Sequence, residues 1–289
     1  MRINTFQETN NGKVNVIKYP SSIPSNKIVL CIHGFCCDSR IFNYLGSMLA
    51  ENGFDVYSID LPGHGKSYGE KGDPDFNKCL ESINDIVKTL KGNSKIFIVA
   101  HSMGCTYALW YSHIFKKSID GLVLLAPYIR IPSIKKRSEI EPSNTRFLYF
   151  LLRKIMTPKT KIMATRELPN FLKIGGNEIE QMLKDKDLNF NYSYRYIVDV
   201  LALRNTKISA LSDIDVPLLI LHGQKDRNVF PEVGKQFGNL ANSRDKKVEI
   251  LDCDHWFNHC IFYTQTDMKY SEESRMKIIN SVKDWLSSH

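Results

Sequence analysis

Ile96-Phe-Ile-Val-Ala-His-Ser-Met-Gly104 is the stretch on which this chain is read. Its first five residues are apolar, three of them β-branched, and suit a short buried strand; the following Cys105-Thr-Tyr-Ala-Leu-Trp-Tyr111 suits a helix. Ser102 falls at the apex between them. Ala100 and Gly104, two residues before and two after it, are small enough for strand and helix backbones to pass closely there. A turn of this kind holds its serine in a strained conformation, with the hydroxyl exposed above the sheet. The usual spacing is Gly-x-Ser-x-Gly. Ala100 takes the place of the first glycine and keeps that position small.

A serine hydroxyl is a weak nucleophile until a base removes its proton, so the reading requires a histidine and an acid to orient it. Both lie downstream. Asp215-Val-Pro-Leu-Leu-Ile-Leu-His-Gly223 reads as a buried parallel strand, and Asp226 sits in the loop that follows. Lys247-Val-Glu-Ile-Leu251 reads as a further strand, and His255 lies just past its carboxyl end. Catalytic groups collect at the carboxyl ends of strands in open parallel sheets. Each residue alone has a plainer reading: a turn serine, a turn-forming aspartate, a packed histidine. Their order and their shared placement at strand ends favour Ser102, Asp226 and His255 as a catalytic set.

An oxyanion needs preset N–H donors. One is expected from Met103, the residue after the nucleophile. The other is expected from Phe35, in the loop after the strand Lys27-Ile-Val-Leu-Cys-Ile32. His33, Gly34 and His101 flank these donors and are expected to contact substrate.

His33-Gly34-Phe35, Asp60-Leu-Pro-Gly-His-Gly-Lys-Ser67, Ala100-His-Ser-Met-Gly104, Asp226 and Asp254-His255 together resemble the α/β-hydrolase superfamily, over nearly the whole chain. Gly63-His-Gly-Lys-Ser-Tyr-Gly69 is similar to the branch of monoacylglycerol lipases, lysophospholipases and serine aminopeptidases. The resemblance implies an α/β-hydrolase fold, with a doubly wound, mostly parallel sheet of about eight strands and an inserted helical cap. It also implies hydrolysis of a carboxylic ester with an apolar acyl chain, with no cofactor and no metal. Thioesterase, amidase or peptidase and C–C hydrolase chemistry stay open on the same triad, as does a non-catalytic binding protein. Dehalogenases and epoxide hydrolases of this fold need an aspartate where Ser102 stands. One departure is Cys105, where the family usually has a second glycine.

The rest of the chain agrees. With 289 residues, 43% of them hydrophobic, it can bury a sizeable core. Asn11-Gly12 between extended runs predicts a hairpin. Strands are expected near 13–19, 27–32, 54–59, 95–100, 119–126, 216–222 and 247–251. Helices are expected near 40–52, 76–91, 103–116, 232–241 and 272–287, the last capped by Ser271. The alternation breaks over 129–206, which shows helical patches and no clear strands. This is the expected cap, with residues 1–128 and 207–289 forming the hydrolase core. Its aromatic residues, including Phe147, Phe171, Phe190, Tyr192, Tyr194 and Tyr196, are expected mostly to pack, with a few lining an acyl tunnel.

The charge is uneven. Of the formal +8, +7 lies in 129–206, where 15 Lys or Arg face 8 Asp or Glu. Lys135-Lys136-Arg137 and Arg153-Lys154 are the densest points. A solvated surface is one reading, and contact with an anionic membrane surface is the other. No nucleic-acid motif accompanies the charge. Seven cysteines without regular spacing, and no signal-peptide core at the start, read as a reduced, cytoplasmic protein. His255 and His259 are four apart, but the glutamate of a zinc-binding His-Glu-x-x-His is absent. His259 is expected to pack, and Cys36 and Cys37 to be small buried residues.

Overall fold

The structure, a computed structural model, describes residues 2–131, 134, 159–163, 180–204, 211–263 and 270–289. The chain opens with the expected hairpin, β1 (Ile3–Thr9) and β2 (Gly12–Tyr19), closed by the Thr9–Gly12 pair. There follow β3 (Lys27–Ile32), a 3-10 turn (Ser39–Phe42), α1 (Asn43–Glu51), β4 (Asp55–Ile59), α2 (Phe76–Lys91), β5 (Lys95–His101), α3 (Met103–Ile114) and β6 (Gly121–Leu125). Two short strands, β7 (Lys161–Met163) and β8 (Asn191–Ser193), precede α4 (Tyr194–Arg204). The chain then returns through β9 (Leu218–Gly223), α5 (Pro231–Leu240), β10 (Lys246–Leu251) and α6 (Glu272–Ser288).

Eight strands form one sheet in the order β1-β2-β4-β3-β5-β6-β9-β10. The first three are joined antiparallel and the rest run parallel. This is the expected doubly wound sheet. β5, β6 and β9 are buried nearly throughout, because both faces are covered, which is why they read as unbroken apolar runs. The two edges differ. β1 is exposed along most of its length, and β10 carries Lys246, Lys247 and Glu249, charges that discourage edge pairing. Ser271 caps α6 as expected, accepting from the Ser274 N–H.

Two expectations change. The helix expected over 40–52 begins as the 3-10 turn, because the Asp38 carboxylate accepts from the Arg40 N–H and tightens the entry. The region 129–206, expected to lack strands, contains two: β7 and β8 pair antiparallel. Three-residue strands leave no periodicity, and this pair is set by tertiary contacts. The Ser193 N–H donates to Gly72 O at 2.7 Å. Arg195 bonds Asp73 Oδ1 at 2.6 Å and Pro74 O at 3.0 Å, and Lys161 pairs with Glu70 at 3.0 Å. These cations therefore fasten β7 and the start of α4 to the segment 70–74. Lys135, Lys136, Arg137, Arg153, Lys154, Phe147 and Phe171 lie outside the described residues. Among the described residues no helix is long and apolar enough to cross a membrane.

Candidate active site

The turn from β5 into α3 puts Ser102 at φ 52° and ψ −118°, a left-handed conformation that L side chains rarely adopt. Main-chain bonds hold it there. The Ser102 N–H donates to Leu125 O at 2.8 Å, and its carbonyl accepts from Cys105 at 3.0 Å and Tyr128 at 3.1 Å. Gly104 lies against the end of β3, where a Cβ would stand 2.4 Å from Ile32 O. No other residue fits. Cys105, in place of a second glycine, is fully buried, and its thiol points back toward Ala100 O at 3.1 Å. Gly104 thus makes the close helix approach, and Cys105 does not obstruct it.

The loop after β3 meets this elbow. A Cβ on Gly34 would lie 3.1 Å from Ser102 Cβ, so absence of a side chain brings the Phe35 backbone beside the serine. Met103 is the first residue of α3, and a first-turn N–H has no carbonyl partner within its own helix. Both candidate oxyanion donors therefore flank Ser102, one at the positive end of a helix. The Phe35 ring stacks on Tyr192 at 4.6 Å, and Tyr196 donates from its hydroxyl to Met103 Sδ at 3.3 Å. Tyr192 and Tyr196 are buried.

On the other side, His255 Nδ1 lies 2.8 Å from Asp226 Oδ2. The carboxylate accepts, so the ring proton is on Nδ1, and Nε2 is left as the basic nitrogen. Asp226 Oδ1 accepts from the N–H groups of Asn228 at 2.8 Å and Val229 at 2.9 Å. Burial alone would raise the Asp226 carboxyl, but His255 and a second imidazole, His222, more than offset it and hold it well below the usual carboxylate range. His222 was not singled out in the sequence. It closes an apolar run, and its placement four residues before Asp226 was the available signal.

His255 is held by its neighbours. Asp254 Oδ1 accepts from the N–H groups of Trp256 at 2.9 Å and Asn258 at 3.2 Å, and its other oxygen accepts from the Tyr270 hydroxyl. Phe257, Asn258 and His259 follow with φ of 54°, 51° and 62°, three successive left-handed residues. His259 packs on Phe262 and Tyr270, as expected. Among the described residues no cluster of His, Cys, Asp and Glu is arranged to hold a metal.

His33 and His101 depart from expectation. Both are buried side chains whose rings bond to backbone. His33 Nε2 accepts from the Leu61 N–H at 3.0 Å, and its Nδ1–H donates to Gly34 O at 2.8 Å. His101 donates from Nε2 to His255 O at 2.9 Å, with the two rings 4.8 Å apart. His101 therefore joins the serine's strand to the histidine's loop. Burial, aided by His255, holds His101 neutral with its pKa down to about 3. Cys36 and Cys37 are buried, and burial pushes the Cys37 thiol up to about 12 and Cys36 well above its ordinary value. Neither thiol is poised for attack.

Residues 23–262 match the family described as serine aminopeptidase, S33. The chain is 25% identical over 262 residues to an uncharacterized abhydrolase domain-containing protein of Dictyostelium discoideum, an alignment covering 89% of this chain and 26% of that protein. It is 26% identical over 238 residues to a putative monoglyceride lipase of Schizosaccharomyces pombe, covering 75% of this chain and 58% of the relative. The matches thus span less than two thirds of each of these two curated relatives. Among solved structures, a soluble variant of the Saccharomyces cerevisiae monoglyceride lipase, in complex with a substrate analog, superposes with a TM-score of 0.80. The two are 22% identical, and the match covers 100% of this chain and 97% of that one.

Proposed function

The chain belongs to the serine aminopeptidase S33 family of α/β-hydrolases, and from that premise we propose that it hydrolyses carboxylic esters with an apolar acyl chain, of the monoacylglycerol kind. The observation that carries this reading is the 2.8 Å bond from His255 Nδ1 to Asp226 Oδ2, in a loop that His101 joins to the strained strand-to-helix turn of Ser102. His255 Nε2 takes the Ser102 proton as Oγ attacks the carbonyl. The N–H groups of Phe35 and Met103 stabilise the tetrahedral oxyanion. His255 then protonates the leaving alcohol, giving an acyl-enzyme, and activates a water that releases the acid. Asp226 fixes the imidazole tautomer and stabilises the imidazolium.

The similarity to a putative monoglyceride lipase and to a monoglyceride lipase structure supports a lipid ester as substrate. Residues 129–206 are proposed as the cap over it. The seven cysteines are all free and buried, which supports a reducing compartment, the cytoplasm. A fluorophosphonate probe and a panel of esters graded from acetyl to long acyl, with matched thioesters and aminoacyl anilides, test the assignment. Medium or long acyl esters are expected to lead in kcat/KM, each buried methylene adding up to about 0.8 kcal/mol until the tunnel fills. Anilide turnover exceeding that of every ester would make it a peptidase instead. The basic cap is proposed to meet anionic lipid. Turnover on anionic vesicles should then fall with added salt, and salt-independent turnover would remove that contact.

A further inference from the structure

A second imidazole stands on the carboxylate that holds His255. His222 ends the apolar run of β9 and is fully buried. Its Nε2 lies 2.8 Å from Val229 O and 3.4 Å from Asp226 Oδ2. A carbonyl only accepts, so Nε2 carries the ring proton and donates it to Val229 O, with Asp226 Oδ2 alongside at 3.4 Å. Nδ1 is then a lone pair, buried without a partner among the described residues. It sits beneath Gly234 of α5, where a Cβ would stand 2.7 Å from it. Oδ2 thus has two imidazoles beside it, His255 bonded to it and His222 at 3.4 Å, while Oδ1 is taken by the Asn228 and Val229 N–H groups.

We propose that His222, fixed by Val229 O beside Asp226, is a positioning residue that acts through Asp226 by drawing on the charge of Oδ2, so that His255 holds its proton less tightly. The proposal rests on the reading of Asp226 and His255 as acid and base. A carboxylate that shares its charge with a second donor stabilises the neighbouring imidazolium less. The base is then free at lower pH. The other titratable groups around the pair do not take this part. His101 lies against His255 with its ring tilted, and burial favours the neutral form of His101 and of His33. Burial likewise keeps the Cys253 thiol near Asp226 protonated. Asp254 spends its oxygens on Trp256, Asn258 and Tyr270.

The test compares His222→Leu, which removes the N–H, with His222→Gln, which keeps one at the ε position. The readouts are kcat/KM for a soluble aryl ester across pH 4.5–9 and thermal unfolding of each variant. In His222→Leu the acid limb should move to higher pH by about half a unit to one unit, a loss of about three- to tenfold on that limb, with the alkaline plateau within about threefold of wild type. His222→Gln should return the limb close to its wild-type position. A folded Leu variant whose acid limb superimposes on wild type overturns the proposal, as does a Gln variant displaced as far as Leu. If the Leu variant does not fold, His222→Asn, polar but without an ε N–H, decides by the same criteria. The downfield proton NMR signal of the His255–Asp226 bond gives a readout free of activity. It should move further downfield in His222→Leu and not in His222→Gln. A protein inactive on every ester would defeat the hydrolase reading and leave this signal to decide the role of His222; an unmoved signal would overturn it.

Discussion

Around Ser102 the chain is held by its own backbone; around His255 it is held by side chains. The elbow is a left-handed serine whose N–H and carbonyl are both bonded, with a nearby glycine, Gly104, on which an added Cβ would stand 2.4 Å from Ile32 O. The His255 loop has three successive left-handed residues and no glycine among them, and its shape comes from Asp254, Tyr270 and Asp226. The first construction tolerates changes of polarity and not of volume. The second tolerates volume at its surface and not the loss of an acceptor. The two meet at His101, whose ring belongs to the elbow's strand and whose Nε2–H grips the His255 carbonyl.

The largest effect expected is chemical and leaves both constructions standing. Ser102→Ala should cut aryl ester hydrolysis by roughly three orders of magnitude or more and abolish phosphonate labelling, with unfolding unchanged. His255→Ala should match it, and Asp226→Asn should be damaging by a smaller factor. His259→Ala should keep near wild-type rates. Undiminished turnover in Ser102→Ala would defeat the nucleophile assignment. An inactive His259→Ala beside an active His255→Ala would show that the base lies on the wrong turn of the loop.

The next pair of changes sets one construction against the other. Gly104→Val puts branched volume against Ile32 O and His33 O, backbone atoms that cannot swing away. It should cost about 3 kcal/mol of stability, read by chemical denaturation. Asp254→Ala adds no volume and leaves two N–H groups and a tyrosine hydroxyl without their acceptor. It should cost only about 1–2 kcal/mol but lower kcat about tenfold or more, because His255 loses its frame. Equal stability losses from the two, or a stable Gly104→Val, would erase the distinction.

The same distinction decides what could be read beforehand. Ala100, Ser102 and Gly104 are a spacing, and β5 and β9 are unbroken apolar runs, so fold and elbow were legible. Asp226 and His255 were legible because the topology puts strand ends together. What was hidden depends on who meets whom in space. His222 looks like the last residue of a strand until Asp226 is seen beside it. Asp254 looks like a turn former until Tyr270 arrives from 16 residues away. His33 and His101 sit next to Gly34 and Ser102 in the chain, yet their side chains turn inward to backbone groups. β7 and β8 exist because Gly72 and Asp73 receive them.

The smallest expected effect concerns the junction. The free energy of burial disfavours protonation of His101, holding its pKa down to about 3 in the folded protein against about 6.5 when unfolded. The unfolded chain therefore binds a proton between these values that the folded chain refuses. The stability this linkage contributes is fully present above about pH 6.5 and is lost as pH falls toward 3, by at most about 1.4 kcal/mol per pH unit. His33 and His64 are buried and shifted in the same direction, so the acid slope of the wild type is shared among three rings. His101→Gln keeps an N–H for the His255 carbonyl and removes one of the three titrations. Denaturation midpoints measured from pH 7 to pH 4 should fall less steeply in His101→Gln than in wild type, by up to one proton's worth of slope. At pH 7 its turnover should stay within a few fold, because the stitch to His255 survives. An unchanged acid slope would mean that His101 takes up its proton in the folded state, and that elbow and loop are not joined through a neutral ring.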